Sequence, residues 1–359
     1  MSLKSSSNLT EDSYLVTHYV DRTGIRLDSF LKDRYRKRSR VQIKRAIDDG
    51  AITIRRDQSP HLLLGRLKAS LQLIAGDEVY VMSERKPEPP VCFDYKIIHE
   101  DETLFIISKP ANLPVHPAGR YFFNTLLVHL RTQGHRTPLK AEREFYLVHR
   151  IDKETSGILV LARDKEVCTH LTRQFAERST RKRYLAIVHG APPETFSVSH
   201  ALRRATNSVV DLKMEVGPES EGAQSAHTDF KRISQHKNRH GEFSLVECFP
   251  KTGRQHQIRV HLESVGHPIV GDKLYGRSEE EALRFYERQR LTPEAEAKLI
   301  LPRHALHAAG IIFEDPSTGK EVEFRSELPT DLQRFLDYGD VGDGLEDCKS
   351  QRPSATGLN

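Results

Sequence analysis

His149-Arg150-Ile151-Asp152-Lys153-Glu154-Thr155-Ser156-Gly157 runs straight into Ile158-Leu159-Val160-Leu161-Ala162. Five consecutive apolar residues containing β-branched types and closed by charge predict a strand buried on both faces. Just before it the chain carries an imidazole, a guanidinium, an apolar residue and a carboxylate, then Ser156-Gly157, a turn signal. A polar cluster at the mouth of a rigid buried strand is held in place, as a catalytic constellation must be. The competing reading is a solvated loop in which Arg150 and Asp152 pair locally.

A second cluster bears on that choice. Lys251-Thr252-Gly253-Arg254-Gln255-His256-Gln257-Ile258-Arg259-Val260-His261-Leu262 enters from a Thr-Gly turn, and Ile258, Leu262 and Val265 recur at helical spacing. The pattern predicts a helix with one apolar and one strongly basic face. Two cationic clusters around a lone carboxylate suit an anionic polymer.

In order and separation, both stretches resemble the signature motifs of the RluA family of pseudouridine synthases, which isomerise uridine in RNA. The likeness extends to Lys109-Pro110-Ala111-Asn112-Leu113-Pro114-Val115-His116-Pro117, to Lys182-Arg183-Tyr184-Leu185-Ala186-Ile187-Val188-His189-Gly190, to Gly266-His267-Pro268-Ile269-Val270-Gly271-Asp272 and to Arg303-His304-Ala305-Leu306-His307-Ala308. It covers roughly residues 91 to 335. The fold it implies is α+β: a catalytic domain over 91–337 with a mixed, largely antiparallel sheet, preceded by a small α+β RNA-binding domain.

Composition sets the outer bounds. The chain has 359 residues, with 55 Lys plus Arg against 50 Asp plus Glu, so only the distribution of charge is informative. No apolar run reaches the roughly 18 residues of a membrane span and the N-terminus is polar, so a cytoplasmic protein with no membrane partner is expected. Cys92, Cys168, Cys248 and Cys348 form no Cys-x-x-Cys, so neither a disulfide framework nor a zinc knuckle is indicated. Without a His-Glu-x-x-His, a phosphate-binding glycine loop or a dinucleotide fingerprint, no metal and no nucleotide cofactor is expected.

Residues 1–19 contain Ser5-Ser6-Ser7 and read as a flexible lead-in. Residues 20–82 read as a small basic RNA-binding domain: Leu27, Phe30 and Leu31 mark one helix, Val41, Ile43 and Ile47 a second, with strands at 51–54 and near 75–81. Lys32, Arg34, Arg36, Lys37, Arg38, Arg40, Lys44 and Arg45 stand against one acid, Asp33. A charge run can be merely a solvated face, but cations grouped on a compact helix pair displace counterions when they meet phosphate. The segment is similar to a small RNA-binding module of a small-subunit ribosomal protein, with a longer Arg55–Pro60 stretch at the expected hairpin. The Pro-rich residues 83–90 read as a linker, 278–299 as an exposed helical insert interrupted at Pro293, and 338–359 as a disordered tail.

Turning uridine into pseudouridine requires cleavage of the ribose–nitrogen bond, rotation of the base and attachment through ring carbon 5, on a nucleotide flipped out of its stack. The resemblance implies Asp152 as the catalytic carboxylate, Arg259 as its cationic partner, and Tyr184 as the residue whose ring packs on the base and whose hydroxyl assists proton removal at carbon 5. Direct attack of Asp152 on the sugar and proton removal to a glycal stay equally open. Arg150 corresponds to the arginine that enters the space left by the flipped base, and Arg254 suits a phosphate or a carboxylate. Arg36, Lys37 and Arg38 are the candidate phosphate contacts of the basic helix pair. His149, His256 and His261 are read as hydrogen-bonding and packing residues, Ile258 and Leu262 as apolar floor.

The expected substrate is structured RNA, with large-subunit ribosomal RNA first and transfer RNA second, bound by a monomer without cofactor. A non-catalytic RNA-binding protein of the same fold and an RNA-directed nucleosidase are the rivals; release of free uracil would mark the latter.

Overall fold

The computed structural model describes residues 13–35, 38–56, 67–84, 88–132, 144–287, 294 and 299–339. Two compact units divide between Pro87 and Glu88. In the first, β1 (Ser13–Tyr19), β2 (Ile25–Arg26), α1 (Leu27–Arg34), α2 (Arg40–Asp48), β3 (Ile52–Arg55), β4 (Gln72–Leu73) and β5 (Glu78–Glu84) form an α+β module. Its sheet runs β1–β5–β3, all antiparallel, and β2 pairs with β4. Leu27, Phe30, Leu31, Ile43 and Ile47 pack on Ile52, Ile54, Val79 and Val81. Helix α2 starts at a capping box: the Ser39 hydroxyl accepts from Gln42 N and the Gln42 side chain accepts from Ser39 N.

The second unit carries strands β6 (Lys96–Glu100), β7 (Leu104–Lys109), β8 (Tyr146–Leu147), β9 (Ser156–Ala162), β10 (Arg181–His189), β11 (Thr195–Val198), β12 (Leu202–Arg204), β13 (Met214–Val216), β14 (Thr228–Asn238), β15 (Gly241–Pro250), β16 (Leu306–Glu314) and β17 (Glu321–Arg325). Its helices are α3 (Leu126–Thr132), α4 (Lys165–Ala176), α5 (Gln257–Ser264), α6 (Glu279–Glu287) and α7 (Thr330–Tyr338). The main sheet has ten strands, ordered β11–β14–β15–β10–β16–β9–β7–β6, with β17 on β16 and β8 on β9. Every pair is antiparallel except β9 with β16. The sheet is therefore mixed and largely antiparallel.

All seven residues of β9 are buried, because apolar clusters cover both faces. Leu159 and Leu161 pack with Phe105, Leu113 and Leu126, and Ile158 and Val160 with Leu171, Ile311 and Phe313. The strand starts at Ser156 rather than Ile158, because Ser156 and Gly157 pair in parallel with His307 and Ala308 of β16. Gly157 has φ +107, and a Cβ there would lie 2.2 Å from the Ala308 carbonyl oxygen. Gly157→Ala is expected to lower stability by about 2–4 kcal/mol, read as a lower urea midpoint with unchanged slope; an unshifted midpoint would show that β16 yields freely here. Asp164 caps α4 by accepting from Val167 N at 2.8 Å.

Four expectations change. Ser13–Tyr19, assigned to the flexible lead-in 1–19, form β1 and pair with β5 along their whole length; this run of Tyr, Leu, Val and Thr is strand-forming, and the serines upstream obscured it. The linker 83–90 is trimmed at both ends. Ser83 and Glu84 lie in β5, and the Glu88 carboxylate accepts from the backbone of Phe122, Phe123 and Asn124 in the second unit.

Helix α5 has no solvated basic face: Gln257, Ile258, Arg259, Val260, His261 and Leu262 are all buried, while Val265 is its exposed C-cap. Periodicity groups its cations on one side of the helix, and the fold supplies buried polar partners for them. Finally, Cys168 and Cys248 are free thiols but Cys92 is disulfide-bonded, which the wide cysteine spacing gave no sign of.

The insert carries α6, and Pro293 lies outside the described residues, as does the tail beyond Gly339. Among the described residues no helix is long and apolar enough to cross a membrane, and no group of three or more His, Cys, Asp or Glu is placed to hold a metal.

Candidate active site

The turn before β9 and the start of α5 meet. Asp152 lies in that turn, with Thr155 N donating to its carbonyl at 3.1 Å. Arg259, 107 residues later, donates from Nη1 to Asp152 Oδ2 at 2.9 Å. The Asp152 side chain keeps 32% of its exposure while the Arg259 side chain keeps 6%, so the carboxylate opens to solvent and the guanidinium lies beneath it. Among the described residues Oδ1 of Asp152 has no hydrogen-bond partner. Burial works against ionisation of Asp152, but His256 and Arg259 outweigh it, so its pKa falls to about 2.

Arg259 is itself oriented by a second carboxylate. Its Nε and Nη2 donate to the two oxygens of Asp272 at 2.6 and 2.8 Å, in the two-pronged geometry that fixes a guanidinium plane. Asp272 is fully buried and also accepts from Leu274 N and Tyr275 N. Burial opposes the Arg259 charge, and Asp272 followed by Asp152 more than restores it. Gly271 makes this possible: its φ is +75, and a Cβ would meet the Arg303 carbonyl oxygen at 2.1 Å. The role of Asp272 was not legible in the sequence, although it closes the Gly266–Asp272 motif.

Two aromatic hydroxyls border the pair. Tyr184 on β10 packs against both main apolar clusters; burial, then the charge of Asp152, raises its pKa, so the phenol holds its proton. Tyr275 is 1% exposed, lies 4.9 Å from the Arg259 guanidinium, and bonds to His256 Nδ1 at 2.8 Å. His256 Nε2 stands 3.9 Å from Asp152 Oδ2. On the other flank His304 Nε2 bonds to Thr155 Oγ1 at 2.8 Å.

The frame around these groups is polar and buried. The Lys109 ammonium, 1% exposed, donates to the carbonyls of Pro110, Leu113 and Lys153 at 2.8, 2.9 and 3.1 Å, which ties the loop after β7 to the Asp152 turn. Gln257 accepts from Thr252 Oγ1 and Arg254 N and donates to His227 O and Thr228 Oγ1, so one amide locks the turn entering α5. His149 accepts from Val160 N at 3.1 Å and stacks on Phe175 at 4.8 Å. Its imidazole is occupied in holding β9. Ile258 and Leu262 lie in the core with Ile187 and Phe230.

The other candidate residues are spread more widely. Arg150 is exposed, with Nη1 3.4 Å from His116 Nε2. Arg254 donates from Nε to Ser225 O at 3.2 Å. Arg38 belongs to the first unit, its guanidinium 5.0 Å from the Tyr35 ring centroid, and Arg36 and Lys37 lie outside the described residues. A cavity of about 650 Å³ is lined by Asp272, Tyr275, Glu263 and Arg277 among others, and its lining does not include Asp152.

Burial lowers the pKa of His149 to about 3 and of His256, His261 and His307 to about 4, against 6.5 for a free imidazole. Below pH 6.5 the unfolded chain then binds more protons than the folded one, so stability rises with pH and is lost on acidification. The thermal midpoint is expected to fall steadily between about pH 6.5 and 4. A flat profile across that window would mean that these rings charge in place.

The sequence pattern described as RNA pseudouridylate synthase matches residues 103–264. The chain is 33% identical over 324 residues to ribosomal large subunit pseudouridine synthase D of Zymomonas mobilis, covering 89% of this chain and 95% of that protein. It is 31% identical to ribosomal large subunit pseudouridine synthase C of Vibrio cholerae, covering 88% and 93%. Among solved structures, human RNA pseudouridylate synthase domain containing 4 superposes with a TM-score of 0.51 at 30% identity, over 67% of this chain and 91% of that one. Human RNA pseudouridylate synthase domain containing 1 does so with 0.52 at 26% identity, over 68% and 87%.

Proposed function

Because this chain belongs to the RluA-type RNA pseudouridine synthases, isomerases that convert uridine in RNA to pseudouridine, we propose that Asp152 is its reacting carboxylate and large-subunit ribosomal RNA its substrate. The observation that carries the first part is the Asp152–Arg259 pair at 2.9 Å, with one carboxylate oxygen engaged and the other unoccupied. An ionised, partly exposed carboxylate on a rigid mount can reach a sugar carbon, either as nucleophile or as base. The relatives named ribosomal large subunit synthases, matched over most of their length, support the second part.

In this reading the buried Arg259 keeps Asp152 ionised and fixes its direction. Tyr184 packs beside the base. Burial, and then the charge of Asp152, hold its hydroxyl protonated, so in this reading it assists loss of the carbon-5 proton by hydrogen bonding while that proton passes on to water. Arg150, exposed on the same turn, enters the gap left by the flipped nucleotide, and Arg254 holds backbone phosphate. His149, Ile258 and Leu262 support β9 and α5 from behind. No cofactor or metal takes part, and the enzyme works as a cytoplasmic monomer.

Arg36, Lys37 and Arg38 give the N-terminal module its phosphate contacts. Replacing all three by Ala is expected to lower the slope of log affinity against log salt by about two to three units; an unchanged slope removes this patch from the RNA interface. The function itself is tested by mapping pseudouridine in ribosomal and transfer RNA from cells with and without the gene. Loss of sites in large-subunit ribosomal RNA is the expected result. Loss confined to transfer RNA, or no loss at all, rejects the substrate.

A further inference from the structure

His256 is placed with more care than packing requires. Its backbone lies in the left-handed region at φ 56, which a side chain with a Cβ adopts at a cost and usually where the surroundings impose it. The ring is directed at Asp152 and its side chain keeps 8% exposure, so Nε2 borders the opening at the carboxylate.

The hydrogen bonding of Tyr275 determines what His256 presents there. Met214 N, from β13, donates to the Tyr275 hydroxyl oxygen at 3.0 Å. The hydroxyl's own hydrogen needs an acceptor, because the residue is buried, and among the described residues the one within reach is His256 Nδ1 at 2.8 Å. With Nδ1 accepting, a neutral imidazole carries its proton on Nε2. That N–H lies 3.9 Å from Asp152 Oδ2, too far for a hydrogen bond between them. The charged groups around the ring are Asp152, Arg259, Asp272 and Arg150, and Arg259 is already committed to the two carboxylates. A fixed donor therefore waits beside the reacting carboxylate without a hydrogen-bond partner among the described residues.

We propose that His256 Nε2–H donates to the 2-carbonyl oxygen of the target uracil, and that Tyr275 is a positioning residue that holds His256 in the tautomer able to do so. When the bond from sugar to base breaks, the electron pair stays on the base and its negative charge spreads from ring nitrogen 1 onto that oxygen. A preorganised donor there is worth most in the transition state and little in the ground state. Anchoring the tautomer through Met214 makes the β12–β13 hairpin part of the catalytic support. The inference rests on Asp152 as the reacting carboxylate.

The test uses the full chain, with release of tritium from [5-³H]uridine-labelled large-subunit ribosomal RNA transcript as the measure of turnover. His256→Leu, which keeps bulk and removes the donor, is expected to lower kcat about 30–100-fold with KM within about threefold, and His256→Gln, which restores an N–H, to recover about tenfold of that. Tyr275→Phe should lower kcat about tenfold at unchanged KM. Full activity in His256→Leu, a rise in KM with kcat kept, or a Gln variant no better than Leu overturns the proposal. If His256→Leu does not fold, Tyr275→Phe decides, since it keeps the ring and its packing: an unchanged kcat overturns the idea. Asp152→Asn run alongside separates the two readings, because turnover retained in that variant rejects the role of Asp152 itself.

Discussion

Asp152→Asn is expected to abolish product formation, by about a thousandfold or more, while RNA affinity stays within about tenfold of wild type. The substitution is isosteric and keeps an oxygen to accept from Arg259 Nη1, so the turn before β9 has no reason to move. What it removes is the negative charge and nucleophilicity of a group whose pKa, about 2, keeps it fully ionised at neutral pH. If RNA is held by the proposed cations Arg150, Arg254 and the basic helix pair, affinity and turnover should separate. Filter binding and tritium release on the same transcript would measure the two. Equal losses would make Asp152 a structural residue and remove the basis for the assignment of the site.

Asp272→Asn should be the most damaging change to stability in the site, although Asp272 does not face the opening. Its carboxylate holds two of the Arg259 nitrogens, with both partners almost wholly buried. Removing the charge leaves a buried guanidinium facing an amide, whose NH2 end repels the N–H groups it must meet. Breaking one side of such a pair costs about 3–5 kcal/mol. Because Arg259 also orients Asp152, kcat should drop by at least about a hundredfold in the protein that still folds. Urea unfolding and tritium release read the two effects. A variant of native stability would show that the Arg259–Asp152 contact alone suffices to hold the guanidinium. Arg259→Lys gives a further contrast, since an ammonium cannot span both carboxylates in the geometry of the guanidinium.

Local elements were legible where a residue's own neighbours decide its conformation. β9 follows from five apolar residues in succession, and the pair α1 and α2 from Leu27, Phe30, Ile43 and Ile47. β1 was not, because serines nearby masked a strand whose partner, β5, lies some sixty residues on. The burial of the basic face of α5 was not legible for a related reason. Helical spacing states which residues share a side of a helix but not what lies opposite that side, and here polar groups from Thr228, Asp272 and Asp152 meet Gln257, Arg259 and His261.

The sequence by itself determined the family, the order of the strand and helix motifs, and the residue types available for chemistry: a carboxylate at 152, a phenol at 184, a guanidinium at 259. The tertiary structure added partners that the resemblance had not implied. That Arg259 serves two carboxylates, that Tyr275 bonds to the ring of His256, and that one oxygen of Asp152 stays open follow from how distant segments pack, with close backbone approaches at Gly157 and Gly271 where a Cβ would clash. The physical reason is that backbone preference is written within a few residues, whereas hydrogen bonding and burial depend on which distant segments share the same few ångströms of space.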